Sequence, residues 1–430
     1  MKKTLKFILI LFFSVTFFVT VSMVVWGLKG FTANNWLIEK FETAIENNLV
    51  GSKVSISEIK FDLFKSNSVI SATLFKIILE DSESRQLAYL NELEATFSYV
   101  SLFKLSLQPN SLLLSNSSLV ITKNVEGDFS FEMLEAQEQL ESFQDTEILD
   151  VVSFIEEIFE QDQFSNLSFF SAVNTNIAFV DQISGKTWWL KQGEFNLESL
   201  DRKLSAQFSA NLLYGNDIEA KANLKLVKEK GKEIEISATF ENILINELSE
   251  QFPEFMFLSN FNFPVSLSVY ATLLDDGKLQ GIQGVLETGA GDVLLSSDNG
   301  KFFLNGSKFY FEYNIEFESF NIKQVTLDTE YGKSVGFGKI FIEEQSSNEG
   351  IVFVGQFEFN DTNLFTPKYF TKAINLERIF IDFKFDLEKQ SLKIGQFFAN
   401  DNDIDIFSSG SFRFTSRGLH GLFNFRLSDI

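Results

Sequence analysis

Cysteine is absent from this chain, histidine occurs once and proline only four times. Without cysteine there is no disulfide, thiolate nucleophile, iron–sulfur cluster or cysteine zinc site. A Ser-His-Asp triad would have only His420 to use, and no multi-histidine metal site can form. Positive charge is also scarce: 36 Lys and Arg against 59 Asp and Glu leave a net charge of −23. Nucleic acid is therefore not an expected partner, because phosphate binding needs a basic patch. Docking on anionic lipid headgroups by general electrostatics is disfavoured on the same ground.

Motifs that would carry chemistry are missing as well. Gly289-Ala290-Gly291-Asp292 lacks the third glycine of a dinucleotide fingerprint and the Lys-Ser/Thr of a P-loop, and reads as a tight turn. Asp401, Asp403 and Asp405 imitate the opening of a calcium loop. Ile406 stands where that loop needs glycine, and Phe412 where it needs glutamate. No G-x-S-x-G elbow accompanies His420. Trp188-Trp189 reads as packing within a strand. The expectation is a non-enzymatic protein with no cofactor and no metal.

What is present begins with an apolar run from Phe7 to Leu28, 22 residues without a charge, closed by Lys6 and Lys29. As a helix it would reach roughly 33 Å, enough for a ~30 Å hydrocarbon core. Lys2, Lys3 and Lys6 precede it, and acids begin only at Glu39. The positive-inside rule then leaves the N-terminus in the cytoplasm and sends the body across. The run is too long for a signal-peptide core, and Trp26-Gly27-Leu28-Lys29 is a poor cleavage site, so a retained anchor is favoured over a cleaved signal.

Thr32 to Leu49 has apolar residues at helical spacing (Trp36 or Leu37, Phe41, Ala44 or Ile45, Leu49), with Thr32 as the expected cap. After it, strict alternation takes over. Phase slips in Val54–Leu63 and Ile70–Leu79 call for bulges. Residues 131–163 break the pattern: Phe131 to Asp162 holds eleven acids and no Lys or Arg, and is expected to be a helical acidic insertion.

From residue 164 to 430 the alternation is nearly unbroken. Phe208 and Leu212 share one parity, as do Ile234 to Phe240, Val265 to Leu273 with Leu267, and Phe309 to Phe317 with Phe311. Phe353 to Phe359 with Phe357, and Ile379 to Phe385 with Phe383, continue the series. Asp276-Gly277, Asp298-Asn299-Gly300 and Ser184-Gly185 fit as turns. Short helices are expected only near Asn246–Phe252 and Thr366–Ala373. The fold class is mainly β. The expected divisions are 1–30 (cytoplasmic tip and anchor), 31–130 (helix plus β module), 131–163 and 164–430. Periodicity alone leaves open whether the apolar face packs on a second sheet or lines a groove.

The run Ile77 to Leu114, with Gln86-Leu87-Ala88-Tyr89-Leu90 and Pro109-Asn110, resembles the opening module of the AsmA-like superfamily of Gram-negative envelope proteins, the YhdP and TamB type. Phe179 to Trp188 and Phe263 to Gly291 resemble later hairpins of the same family. The resemblance implies an elongated antiparallel β-groove (β-taco-like, as in chorein-type bridge lipid-transfer proteins). It implies an inner-membrane anchor with the body in the periplasm, and phospholipid conducted along the groove toward the outer membrane. Lipid-facing candidates are then Phe208, Leu212, Phe240, Leu267, Phe311, Phe357 and Phe383. The alternative is a scaffold that binds an envelope protein along an open sheet edge.

Overall fold

The computed structural model describes residues 30–46, 53–66, 69–80, 86–98, 108–123, 129–131, 166–181, 186–200, 203–214, 218–246, 253–274, 277–296, 300–344, 351–365, 373–401, 404–415 and 418–429. The anchor segment Phe7–Leu28, the acidic residues 132–163 and the expected helix at 366–372 lie outside these residues, as do Ser184-Gly185 and Asp298-Asn299. Among the described residues no helix is long and apolar enough to cross a membrane. The chain is mainly β, and divides into two compact units, Met1–Ala210 and Asn211–Ile430.

The first unit opens with β1 (Phe31–Thr32) and α1 (Asn35–Glu46). Then β2 (Lys53–Ser66), β3 (Val69–Glu80) and β4 (Gln86–Ser98) form an antiparallel meander. Leu37, Ile38, Phe41 and Ile45 of α1 pack on its buried Val54, Ile56, Ile59, Ala72 and Leu74. Asn34, not Thr32, caps the helix: Leu37 N donates to Asn34 Oδ1 at 3.0 Å. Thr32 is held in β1 opposite Lys60 and so cannot serve. The helix also covers an edge, since Val54 N and Ile56 N donate to the carboxylates of Glu46 and Glu42 at 2.9 and 2.7 Å.

The sheet then becomes mixed. β5 (Ser111–Ser115) and β6 (Ser118–Lys123) pair with β4 and run parallel to β8 (Phe169–Asp181), and β9 (Lys186–Leu200) returns antiparallel. Lys76, Asn116, Asn174 and Gln192 all have φ near +50°. Register brings them into line across β3, the β5–β6 junction, β8 and β9. The phase slip expected within Ile70–Leu79 is therefore borne by Lys76. Pairing continues one-to-one past Lys76, so the expected bulge is absent there and a left-handed residue makes the slip instead. Only β8 and β9 shift register on this line, which is a crease across the sheet.

In the second unit, β11 (Ile218–Glu229), β12 (Ile234–Leu244), β14 (Pro264–Leu273), β15 (Leu279–Thr288) and β17 (Gly300–Asn314) pair antiparallel in that order. The meander continues through β18 (Ser319–Thr329), β19 (Gly332–Glu344), β20 (Ile351–Leu364) and β21 (Ile374–Asp386). It ends with β22 (Ser391–Asn400), β23 (Ile404–Thr415) and β24 (Gly418–Asp429). A side branch leaves it: β13 (Phe261–Asn262) pairs with β16 (Gly291–Ser296), which joins the start of β17 and touches Gly418 of β24 through Ser296.

One expectation is corrected in this unit. The alternation from Phe309 to Phe317 stops at Asn314, whose Oδ1 accepts a bond from Phe317 N at 3.1 Å and turns the chain. The expected helix Asn246–Phe252 starts in helical backbone at Ile245 and Asn246, and 247–252 lie outside the described residues; a 3₁₀ turn follows over Pro253–Asn260. Proline suits the first position of a helical turn, having no N–H to place.

Candidate apolar face

Register decides which side chains share a face, because successive residues of a strand alternate. Phe240 pairs with Leu267, Leu267 with Leu286, and Leu286 with Phe309, two residues from Phe311. Phe311 pairs with Ile322, Ile322 with Gly338, and Gly338 with Phe357. Phe357 pairs with Ile381, two residues from Phe383, and the two Phe rings stack at 5.9 Å and 7°. Phe240, Leu267, Phe311, Phe357 and Phe383 thus come from five strands onto one face.

All five are half-buried. Ile322, Val325 and Phe359 form a buried cluster among them, with Phe309, Phe320, Ile340, Ile379 and Ile381 packed beside them. The paired stretches Ile234–Phe240, Val265–Leu273, Ile282–Leu286, Phe309–Tyr313, Phe320–Leu327, Ser334–Ile342 and Phe353–Phe359 place no charged side chain on this face. The same holds for Ile379–Phe385, Leu392–Ala399, Ile406–Phe414 and Leu419–Leu427.

Charge is confined to the opposite face, in cross-strand pairs. Lys308 meets Glu287, Lys323 meets Glu312 at 2.8 Å, and Arg378 meets Glu358 at 2.8 Å. The hydrogen bond from Lys308 to Glu287 holds the ammonium well above the usual lysine range. Such exposed pairs add little stability, but they mark the wet side of the sheet.

A feature that single-strand periodicity does not disclose is the pairing of phenylalanine with glycine. Phe311 lies over Gly284, Phe357 over Gly338 and Phe383 over Gly355, each glycine being the cross-strand partner. A Cβ placed at any of the three would come within 2.5 Å of the facing ring. The rings therefore lie low on the sheet instead of standing upright.

Phe208 belongs to the first unit. With Leu90, Leu114, Phe170, Ile177 and Phe195 it lines a cavity of about 230 Å³. Ser117, Thr175 and Gly193, at the crease, also border it. Leu212 sits on β10 (Lys203–Tyr214), and its side chain lies outside the described residues. Phe7 and Leu28 also lie outside them.

His420 is exposed on β24 opposite Arg413. Asp403 lies outside the described residues, and among those described no group of three His, Cys, Asp or Glu could hold a metal ion. Trp189 is 47% exposed, so the expectation that it packs is corrected: the register shift between Thr175 and Ile177 puts it, opposite Ala178, on the other side of β9 from buried Gly193 and Leu197. No family model matches the chain, and no curated protein or solved structure matches it either.

Proposed function

We propose that the apolar face of the second unit is a hydrocarbon-binding groove of the β-taco kind. In this reading the chain is an AsmA-like envelope protein, tethered by Phe7–Leu28 to the inner membrane with its body in the periplasm. It is not an enzyme, and it binds or conducts phospholipid toward the outer membrane. One observation carries the reading: five residues from five strands meet on a single charge-free face and stay half-exposed there.

The energetics suit exchange. Burying a methylene is worth ~0.8 kcal/mol against water, but nearly nothing against a bilayer interior. An aromatic and aliphatic face therefore shields an acyl chain from water without trapping it. No cation on the face could hold a phosphate, so the headgroup would stay outside. The net charge of −23 favours a zwitterionic over an anionic headgroup.

The test is photo-crosslinking in cells from benzoylphenylalanine at positions 240, 267, 311, 357 and 383, with Val335 and Gln356 on the opposite face as controls. The reading requires phospholipid at the first set and none at the controls. Equal capture on both faces, or none at all, overturns it.

A second reading has its own observation. From Leu419 to Asp429, β24 pairs only with β23 among the described residues, and Leu422, Phe425 and Leu427 are 78%, 68% and 58% exposed. An unshielded apolar edge is a template for strand addition, so a protein partner docking there is the alternative function.

A further inference from the structure

We propose that Phe257 is a stop that closes one end of this face and against which the methyl end of an acyl chain comes to rest. The inference rests on the groove reading above. The 3₁₀ turn Pro253–Asn260 interrupts the meander between β12 and β14, and carries Phe257 across to two later strands. Its ring lies 5.1 Å from Phe385 of β21 and 5.9 Å from Phe414 of β23, which are themselves 5.9 Å apart. Phe261 adds a contact to Phe414 at 6.2 Å.

Phe385 and Phe414 belong to the apolar face. Phe385 follows Phe383 by two residues and pairs with Leu392, which also pairs with Phe412, two residues before Phe414. Side chains two apart on a strand point the same way. The aromatic cluster therefore sits on the line that runs through Phe357 and Phe383.

The same corner is tied shut by backbone. Phe261 pairs with Val293, and Ser296 of that strand meets Gly418, which pairs with Thr415 just beyond Phe414. Asn260, 1% exposed, donates from Nδ2 to the Phe257 carbonyl at 3.1 Å, and Ser259 Oγ donates to the Met256 carbonyl at 2.7 Å. These bonds fix the turn, with Phe255 and Met256 exposed and Phe257 turned inward. The cluster presents only ring carbons, so what it can receive is a hydrocarbon terminus and not a headgroup. Asn260 is the positioning residue.

The test uses the full chain in phosphatidylcholine vesicles containing lipid brominated either on the terminal acyl carbons or beside the ester. Three variants supply the reporter: Phe257→Trp at the stop, Phe383→Trp further along the face, and Phe255→Trp on the exposed side of the same turn. After subtraction of wild-type emission, terminal bromine should quench Trp at 257 at least about threefold more than ester-proximal bromine. Trp at 383 should show a smaller preference, and Trp at 255 none. Quenching at 383 without a terminal preference at 257 overturns the stop and leaves the groove reading standing. No quenching at either position overturns both. A measurement on unaltered protein guards against misfolding of the Phe257→Trp variant: phosphatidylcholine with a terminal diazirine should label the peptides holding Phe257 or Phe414. Labelling confined to other strands rejects the stop.

Discussion

Phe357 rests on Gly338, its antiparallel partner, so closely that a Cβ at 338 would fall 2.5 Å from the ring and 2.5 Å from the Gln356 carbonyl oxygen. Gly338→Val should thus cost about 1–3 kcal/mol, as overpacking does, and raise the ring off the sheet. A thermal melt gives the first quantity. Capture of lipid by a crosslinker at Phe311, two strands away, gives the second, and should fall while the strand content seen by circular dichroism persists.

The two faces should separate cleanly under mutation. Glu358→Gln breaks the exposed pair with Arg378 and should lower stability by less than about 1 kcal/mol. Lipid capture should not change. Phe383→Glu, on the other face, places a carboxylate among rings and should abolish capture at Phe357. If both variants behave alike in crosslinking, the assignment of faces fails.

Asp386 gives the stability an acid limb. Burial pushes its carboxyl upward, but the Lys389 backbone N–H and ammonium, each 2.9 Å away, outweigh this and hold it below the usual carboxylate range. A lowered folded pKa means that the contribution is complete above the unfolded value of about 3.9, and drains away as pH falls through the folded one. Asp386→Asn should remove that part of the decline as pH falls below the usual carboxylate value of about 3.9, read as midpoint temperature against pH. Asp386→Ala should cost about 1–2 kcal/mol at neutral pH by leaving the turn's N–H unpaired.

In the first unit, Asn174 has φ +51° and donates from Nδ2 to Asn116 Oδ1 at 2.6 Å. Asparagine tolerates that backbone better than residues without a short polar side chain. Asn174→Ala should therefore cost about 1–2 kcal/mol in denaturant melts, and Asn174→Gly markedly less.

If a protein partner uses the free edge, Phe425→Lys should prevent its capture in a pull-down, because a lysine on an edge strand deters pairing. Lipid crosslinking at Phe357 should survive that change. The reverse pattern would reject the edge as the partner site.

Much of this was legible in the alternation, because a strand half-exposed to water must alternate. It identified the strands bearing Phe240, Leu267, Phe311, Phe357 and Phe383, and which of their residues share a side. It also located the slip in Ile70–Leu79 that Lys76 absorbs. It failed where a single side chain intervenes: Asn314 turns the chain inside an alternating run, and Asn34 captures the helix start from Thr32.

The sequence by itself therefore determined a mainly β chain with one charge-free parity, since parity is a local property of the backbone. Only the tertiary structure decided that those parities from separate strands face the same way, because that depends on register between segments far apart in the chain. Register also decided that Phe311, Phe357 and Phe383 each fall on a glycine. The placement of Phe257 against Phe385 and Phe414, more than a hundred residues away, is a long-range contact that no periodicity encodes.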